Sequence, residues 1–130
     1  MKVYLCARYS RHPEMQQHRA AIEAAGHQVT SRWHNGSHEI GDVATDEDRC
    51  RLAVEDLQDL QAADCVFAFT EGETSAGRGR GGRHVEVGFA LAAAILVILI
   101  GPRENVFHYL DLVERVDTLA EALELSQQEL

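Results

Sequence analysis

Cys65-Val-Phe-Ala-Phe69, the stretch Gly81-Gly-Arg-His-Val-Glu-Val-Gly-Phe-Ala90 and Leu96-Val-Ile-Leu-Ile100 together decide the fold. The first and last are continuous apolar runs. Such runs read as strands buried on both faces, as in a parallel sheet. The middle segment, His84 to Ala93, reads as a helix, and Gly101-Pro102 stops the second run. A strand, a glycine-rich loop, a helix and a strand form the connection that parallel neighbours require.

Working outward, Lys2 to Ala7 is a short apolar run and a candidate central strand. Pro13 suits the first turn of a helix. Met15, Ile22 and Ala25 recur at helical spacing, and Gly26 is a natural end signal. Val29 to Trp33 reads as a second strand, followed by a polar loop from His34 to Ala44. Thr45-Asp-Glu-Asp48 resembles a capping box and opens a helix with Val54, Leu57 and Leu60 inward. Asp64 opens the third strand and pins a turn. Val113 to Val116 reads as a short fifth strand, and Asp117 or Thr118 caps a last helix through about Gln127. The alternation predicts an α/β three-layer sandwich with a mostly parallel sheet of four to five strands, as one domain over 1–130. Ligands of such sheets bind beyond the carboxyl ends of the strands. The loops to examine are therefore Arg8–Pro13, Trp33–Thr45, Thr70–Arg83 and Gly101–Tyr109.

Composition bounds the function. The chain has 130 residues, 45% hydrophobic and 25% charged, which is ordinary for a globular domain. Its net charge of −9 argues against a nucleic-acid polymer as partner. The N-terminal MKVYLCARYS has one lysine and no long apolar run, unlike a signal peptide. Val87 to Ile100 is too short for a bilayer span, which needs about 20 residues, so no membrane is expected. Cys6, Cys50 and Cys65 form no CxxC and read as reduced, buried thiols of a cytoplasmic protein. His34 and His38 are four apart but lie in a loop without HExxH context, so neither a metal nor a cofactor is expected. No Gly-x-Ser-x-Gly elbow is present, which disfavours serine nucleophiles.

The chemistry concentrates in Gly77-Arg-Gly-Arg-Gly-Gly-Arg-His-Val-Glu-Val-Gly88. A glycine-rich loop opening a helix favours an anion. Arg78, Arg80 and Arg83 add positive charge there. Neither a Walker A lysine nor a first-strand dinucleotide fingerprint accompanies it. Glu86 reads as lying in the first turn of that helix, where the dipole holds a carboxylate anionic. Val85, Val87 and Phe89 would pack that turn tightly. By itself Glu86 is either a surface glutamate or a carboxylate able to attack an oxocarbenium-like centre. Asp56 falls at helical spacing with Leu52 and Leu60, so it nears the inward face and needs a partner. Tyr4, taken alone, is a core residue with a satisfied hydroxyl.

Four pieces occur in an order that resembles the nucleoside 2-deoxyribosyltransferase-like superfamily, nearest its small branch of nucleoside 5′-monophosphate N-glycosidases. They are Val3-Tyr-Leu-Cys6, Glu55-Asp-Leu-Gln-Asp-Leu-Gln-Ala-Ala-Asp64, Gly81-Gly-Arg-His-Val-Glu-Val-Gly-Phe-Ala90 and Gly101-Pro-Arg-Glu-Asn-Val-Phe-His-Tyr109. The resemblance implies a flavodoxin-like, Rossmann-like sheet and cleavage of an N-glycosidic bond, by hydrolysis or by transfer to another base. It implies Glu86 as nucleophile on C1′, Asp56 as the aspartate that holds sugar and base, and Tyr4 as the residue orienting the nucleophile. Substrate-binding candidates are Arg8, Trp33, His34, Arg80, Gly82, Arg83 and His84. The resemblance also implies a nucleotide or nucleoside partner and a homodimer or higher oligomer. Val106, Phe107, Tyr109 and Leu110 add an apolar patch suited to a subunit contact. The pattern departs from the family at the first-strand turn, Ala7-Arg-Tyr-Ser-Arg11, and at Arg80, where nucleoside-type transferases carry an acid. Arginine there suits a 5′-phosphate. Two alternatives remain at this point: a catalytically silent nucleotide-binding module or sensor, and an NAD glycohydrolase.

Overall fold

The computed structural model describes residues 1–36, 38, 44–72 and 81–130. A five-stranded parallel sheet has the order β2-β1-β3-β4-β5. The strands are β1 (Lys2–Cys6), β2 (Gln28–Val29), β3 (Cys65–Phe69), β4 (Leu96–Ile100) and β5 (Val113–Val116). The helices are α1 (His12–Ala24), α2 (Asp46–Gln61), α3 (Gly82–Ala92) and α4 (Leu119–Glu129). The centre of the sheet is dry. Val3 to Leu5, Cys65 to Phe67 and Val97 to Leu99 are all fully buried. Continuous apolar runs therefore sit where both faces are covered. Tyr4 and Cys6 project toward α3, which also packs on α2. At the other side Gln127 of α4 reaches His27, just past α1.

Local chemistry sets the helix ends. Thr45 and Asp48 form the reciprocal capping box expected at the start of α2. Pro13 occupies the first turn of α1, and Thr118 rather than Asp117 caps α4. Lys2 N–H donates to Asp64 Oδ2 at 2.8 Å, so Asp64 does pin the entry to β3. Gly101 ends β4 at φ +125°, and a Cβ there would clash with Thr70 Oγ1. The close approach of the β4 loop to the end of β3 thus requires glycine.

Four expectations need correction. β2 stops at Val29, not Trp33, because the ladder gives way to side-chain bonds. Thr30 N–H still donates to Val3 O at 2.8 Å, but Ser31 Oγ then accepts from Leu5 N–H and Trp33 Nε1–H donates to Leu5 O at 2.7 Å. The inward face of α2 is Leu52, Asp59 and Leu60, whereas Val54 is 48% exposed. Ala25 lies beyond α1 and is exposed. Cys50 is exposed, and only Cys6 and Cys65 are buried. Burial pushes both buried thiols up to about 12, with the charge of Asp64 adding to the effect at Cys65. Neither is a thiolate at neutral pH. Among the described residues no helix is long and apolar enough to cross a membrane.

Candidate active site

Beyond the carboxyl ends of β1, β3 and β4, Arg8 and Arg11 meet Glu71, and Glu71 meets Glu104. The Tyr4 hydroxyl donates to Glu86 Oε2. Tyr4 is fully buried in β1, and Glu86 reaches it from α3. Glu86 Oε1 has no hydrogen-bond partner among the described residues. One carboxylate oxygen is therefore held and the other is open, the arrangement required for attack on an electrophilic carbon.

Glu86 differs from expectation in two respects. α3 begins at Gly82, after Gly81 at φ +80°, so Glu86 falls in the second turn rather than the first. Burial of its carboxyl pushes it up to about 8, so desolvation outweighs the helix dipole that was expected to hold it anionic. Val85 does not pack the turn. It is 68% exposed, and Val87 makes the buried contact instead.

Asp56 lies on α2 with its Oδ1 2.7 Å from His38 Nε2. Burial raises its carboxyl above the usual range, and His38 opposes that shift. Asp59, which the helical spacing did not single out, is the buried carboxylate of α2. It accepts from Arg32 Nε, Nη2 and backbone N–H at 2.8–3.1 Å.

Two of the arginines expected to meet substrate, Arg8 and Arg83, already have partners. Arg83 holds Glu104 through both guanidinium arms, at 2.5 and 2.8 Å, and the pair is mostly buried. Arg8 reaches Glu71 at 3.2 Å, and Arg11 holds the other oxygen of Glu71 at 2.6 Å. Glu71 N–H in turn donates to Glu104 Oε1. An ion-paired ladder thus crosses the site from the β1 loop to α3. The Arg83 guanidinium beside Glu104 helps hold its carboxyl below the usual range, against burial. Arg78 and Arg80 lie outside the described residues.

Trp33 and His34 are interior residues. Trp33 packs in the core, and His34 is fully buried between Gln16 and Ser31, at 3.1 and 2.8 Å. Burial pushes its imidazole down to about 4, so it is neutral. Gly82 opens α3 and is exposed. His84 is half-buried and meets Asn105 at 3.4 Å. It lines a recess with Cys6, Thr70, Arg83, Val87 and His108. Thr70 Oγ1 there, and Arg8 Nε in the β1 loop, are buried without a hydrogen-bond partner among the described residues. Each unmade bond costs about 1–3 kcal/mol that a polar ligand could recover. Sequence reasoning missed Glu71 and Glu104, and weighed His38 only as a metal ligand. Each stands in a loop that follows a strand, which was the one signal available. Among the described residues no group of three or more His, Cys, Asp or Glu is placed to hold a metal ion.

This α/β fold is shared with a 2-deoxyribosyltransferase and a CMP N-glycosidase of known structure. In particular, the 2-deoxyribosyltransferase of the psychrotolerant bacterium Bacillus psychrosaccharolyticus superposes with a TM-score of 0.69 at 16% identity, covering 94% of this chain and 90% of its own. The CMP N-glycosidase BcmB of Clostridium botulinum gives 0.62 at 17% identity, covering 98% and 99%. A conserved protein of Enterococcus faecalis gives 0.62 at 16%, covering 100% and 99%. No family model matches the chain, and no curated protein sequence matches it.

Proposed function

We propose that the protein is an enzyme that breaks the N-glycosidic bond of a nucleoside 5′-monophosphate or nucleoside, with Glu86 as the nucleophile on C1′. The contact between the buried Tyr4 hydroxyl and Glu86 carries this reading. Tyr4 orients Oε2 and leaves Oε1 to form a glycosyl-enzyme intermediate, in the two-step, retaining manner. Asp56, a raised carboxyl at the same sheet edge, assists the base. Water then releases a sugar, or a second base takes it up. Likeness in fold to a 2-deoxyribosyltransferase and a CMP N-glycosidase supports the reading.

Two substrate forms draw on different observations. Arg78, Arg80 and Arg83 in a chain of net charge −9 favour a 5′-phosphate. The pairing of Arg83 with Glu104 and of Arg8 with Glu71 favours an uncharged nucleoside, because a phosphate would have to displace a carboxylate. Chromatographic detection of free base over a panel of nucleosides and their monophosphates tests both. A monophosphate should show kcat/KM about 10- to 100-fold above its nucleoside if a charge-assisted contact forms. Equal values would reject the phosphate, and no base release from any member would reject the enzyme. The patch at Val106, Phe107 and Tyr109, 63–77% exposed, supports a homodimer.

A further inference from the structure

The start of α3 lacks the anchors that α2 and α4 use. Thr45 and Thr118 cap those helices through their side chains, and both carry acids in the first turn. Gly81 at the start of α3 has no side chain to offer the free amides, and the first turn of α3 holds no carboxylate. Yet α3 is the helix that carries Glu86.

Arg83 supplies the missing anchor. Its backbone oxygen accepts from Cys6 Sγ–H at 3.2 Å. Its guanidinium gives one arm to each oxygen of Glu104, at 2.5 and 2.8 Å. A two-armed contact of this kind fixes direction as well as distance. The two side chains are only 14% and 12% exposed, so solvent screens the pair weakly. Glu104 is itself tied down. Glu71 N–H donates to its Oε1 at 3.3 Å, and its own N–H donates to Nδ1 of the fully buried His108 at 3.0 Å. Arg103 Nε in turn donates to His108 O at 3.1 Å. His84 adds only a 3.4 Å contact to Asn105.

Helical spacing carries this anchoring to the chemistry. Arg83 and Glu86 are three residues apart and so are neighbours on one side of α3. Val87 and Ala90 hold the rest of the helix on the sheet. A first turn released from Glu104 pivots about them and takes Glu86 with it.

We propose that Glu104 is a positioning residue for the nucleophile: through the Arg83 guanidinium it fixes the start of α3, and so the distance at which Glu86 meets C1′. This rests on the glycosyl-transfer reading above. Attack on carbon is steeply sensitive to placement, and an error of about 1 Å costs about 100-fold in rate.

The test is a double-variant cycle read separately on kcat and KM. Glu104→Gln and Arg83→Met should each lower kcat about 10- to 100-fold on whichever of a nucleoside and its monophosphate is turned over. KM should stay within about twofold, because the lost interaction is not one with the substrate. The two changes act through one contact, so the double variant should lose about as much as either alone. Arg83→Lys keeps the charge without the two-armed geometry, and should lower kcat in the same way if the other variants melt early. A kcat for Glu104→Gln within about twofold of normal, additive losses, or a loss confined to KM or to the monophosphate overturns the proposal and leaves the glycosyl reading standing. Failure of the unaltered protein to release base from any substrate overturns both.

Discussion

Replacing Tyr4 with phenylalanine removes one hydroxyl from the interior and leaves the ring in place. Tyr4 is fully buried, and its hydroxyl contacts Glu86 Oε2. A hydrogen bond to a charged group contributes about 1.5–3 kcal/mol. One pKa unit corresponds to about 1.4 kcal/mol. Loss of the bond from the ionised form should thus move the Glu86 carboxyl up by about one to two units from its position near 8. The sign follows from the chemistry. Attack on C1′ needs the carboxylate, so activity falls as pH drops below the Glu86 value and is regained above it. At pH 7 the ionised fraction is about one tenth in the unaltered protein, and about one hundredth or less in Tyr4→Phe. The variant should therefore lose at least about tenfold in kcat/KM at pH 7 and recover most of it near pH 10. Base release followed across pH 5–10 gives the profile, and NMR of labelled glutamate carboxyls gives the titration without turnover. Two profiles with the same midpoint, or an equal loss at every pH, would refute the reasoning.

Glu86→Gln should abolish the carboxylate at nearly constant volume and lower single-turnover base release by about 1,000-fold or more, with the melting temperature at pH 7 maintained. A near-normal rate would remove Glu86 from the chemistry. Buried His34, neutral in the fold and titrating near 4 rather than near 6.5, binds protons more readily unfolded. Its contribution is fully present above pH 6.5 and should fall by about 2 kcal/mol on acidification to pH 5. Denaturant melts at pH 7 and 5 should show that loss, reduced in His34→Asn, and parallel losses in both proteins would contradict it. Phe107→Asp should convert a dimer to a particle near 14.4 kDa by light scattering. The unaltered protein running at that mass would reject the dimer.

How far the sequence discloses the molecule varies with what each feature depends on. β3, β4 and β5 are bounded as read, because burial on both faces or a fixed turn leaves little alternative. β2 was overread because its end depends on Ser31 and Trp33 bonding to β1, a contact no local pattern encodes. On α2, Leu52, Asp56, Asp59 and Leu60 share one side. Which carboxylate is buried follows from Arg32 arriving at Asp59, from another part of the chain. The Arg83–Glu104 pair joins the start of α3 to the loop after β4, which only the sheet order brings together, so the glycine-rich loop read as a free anion trap. The glycine-rich loop drew attention to Glu86, and resemblance to a family assigned roles to it and to Tyr4. Taken alone, Tyr4 looked like a core residue, which it also is.

β2 has two residues on one margin of the sheet, and β5 forms the other margin with Glu114 and Arg115 in it. Open strand margins invite a neighbouring molecule to extend the sheet, and short or charged ones resist this. Here one margin offers almost no ladder, and the other offers charges at alternate depths. Head-to-head stacking of sheets into ribbons is thereby discouraged at both sides. The exposed apolar side chains of Val106, Phe107 and Tyr109 instead follow β4, an interior strand of the sheet. A molecule laid out in this way keeps its apolar surface apart from its strand margins, so the two cannot combine into one sticky edge.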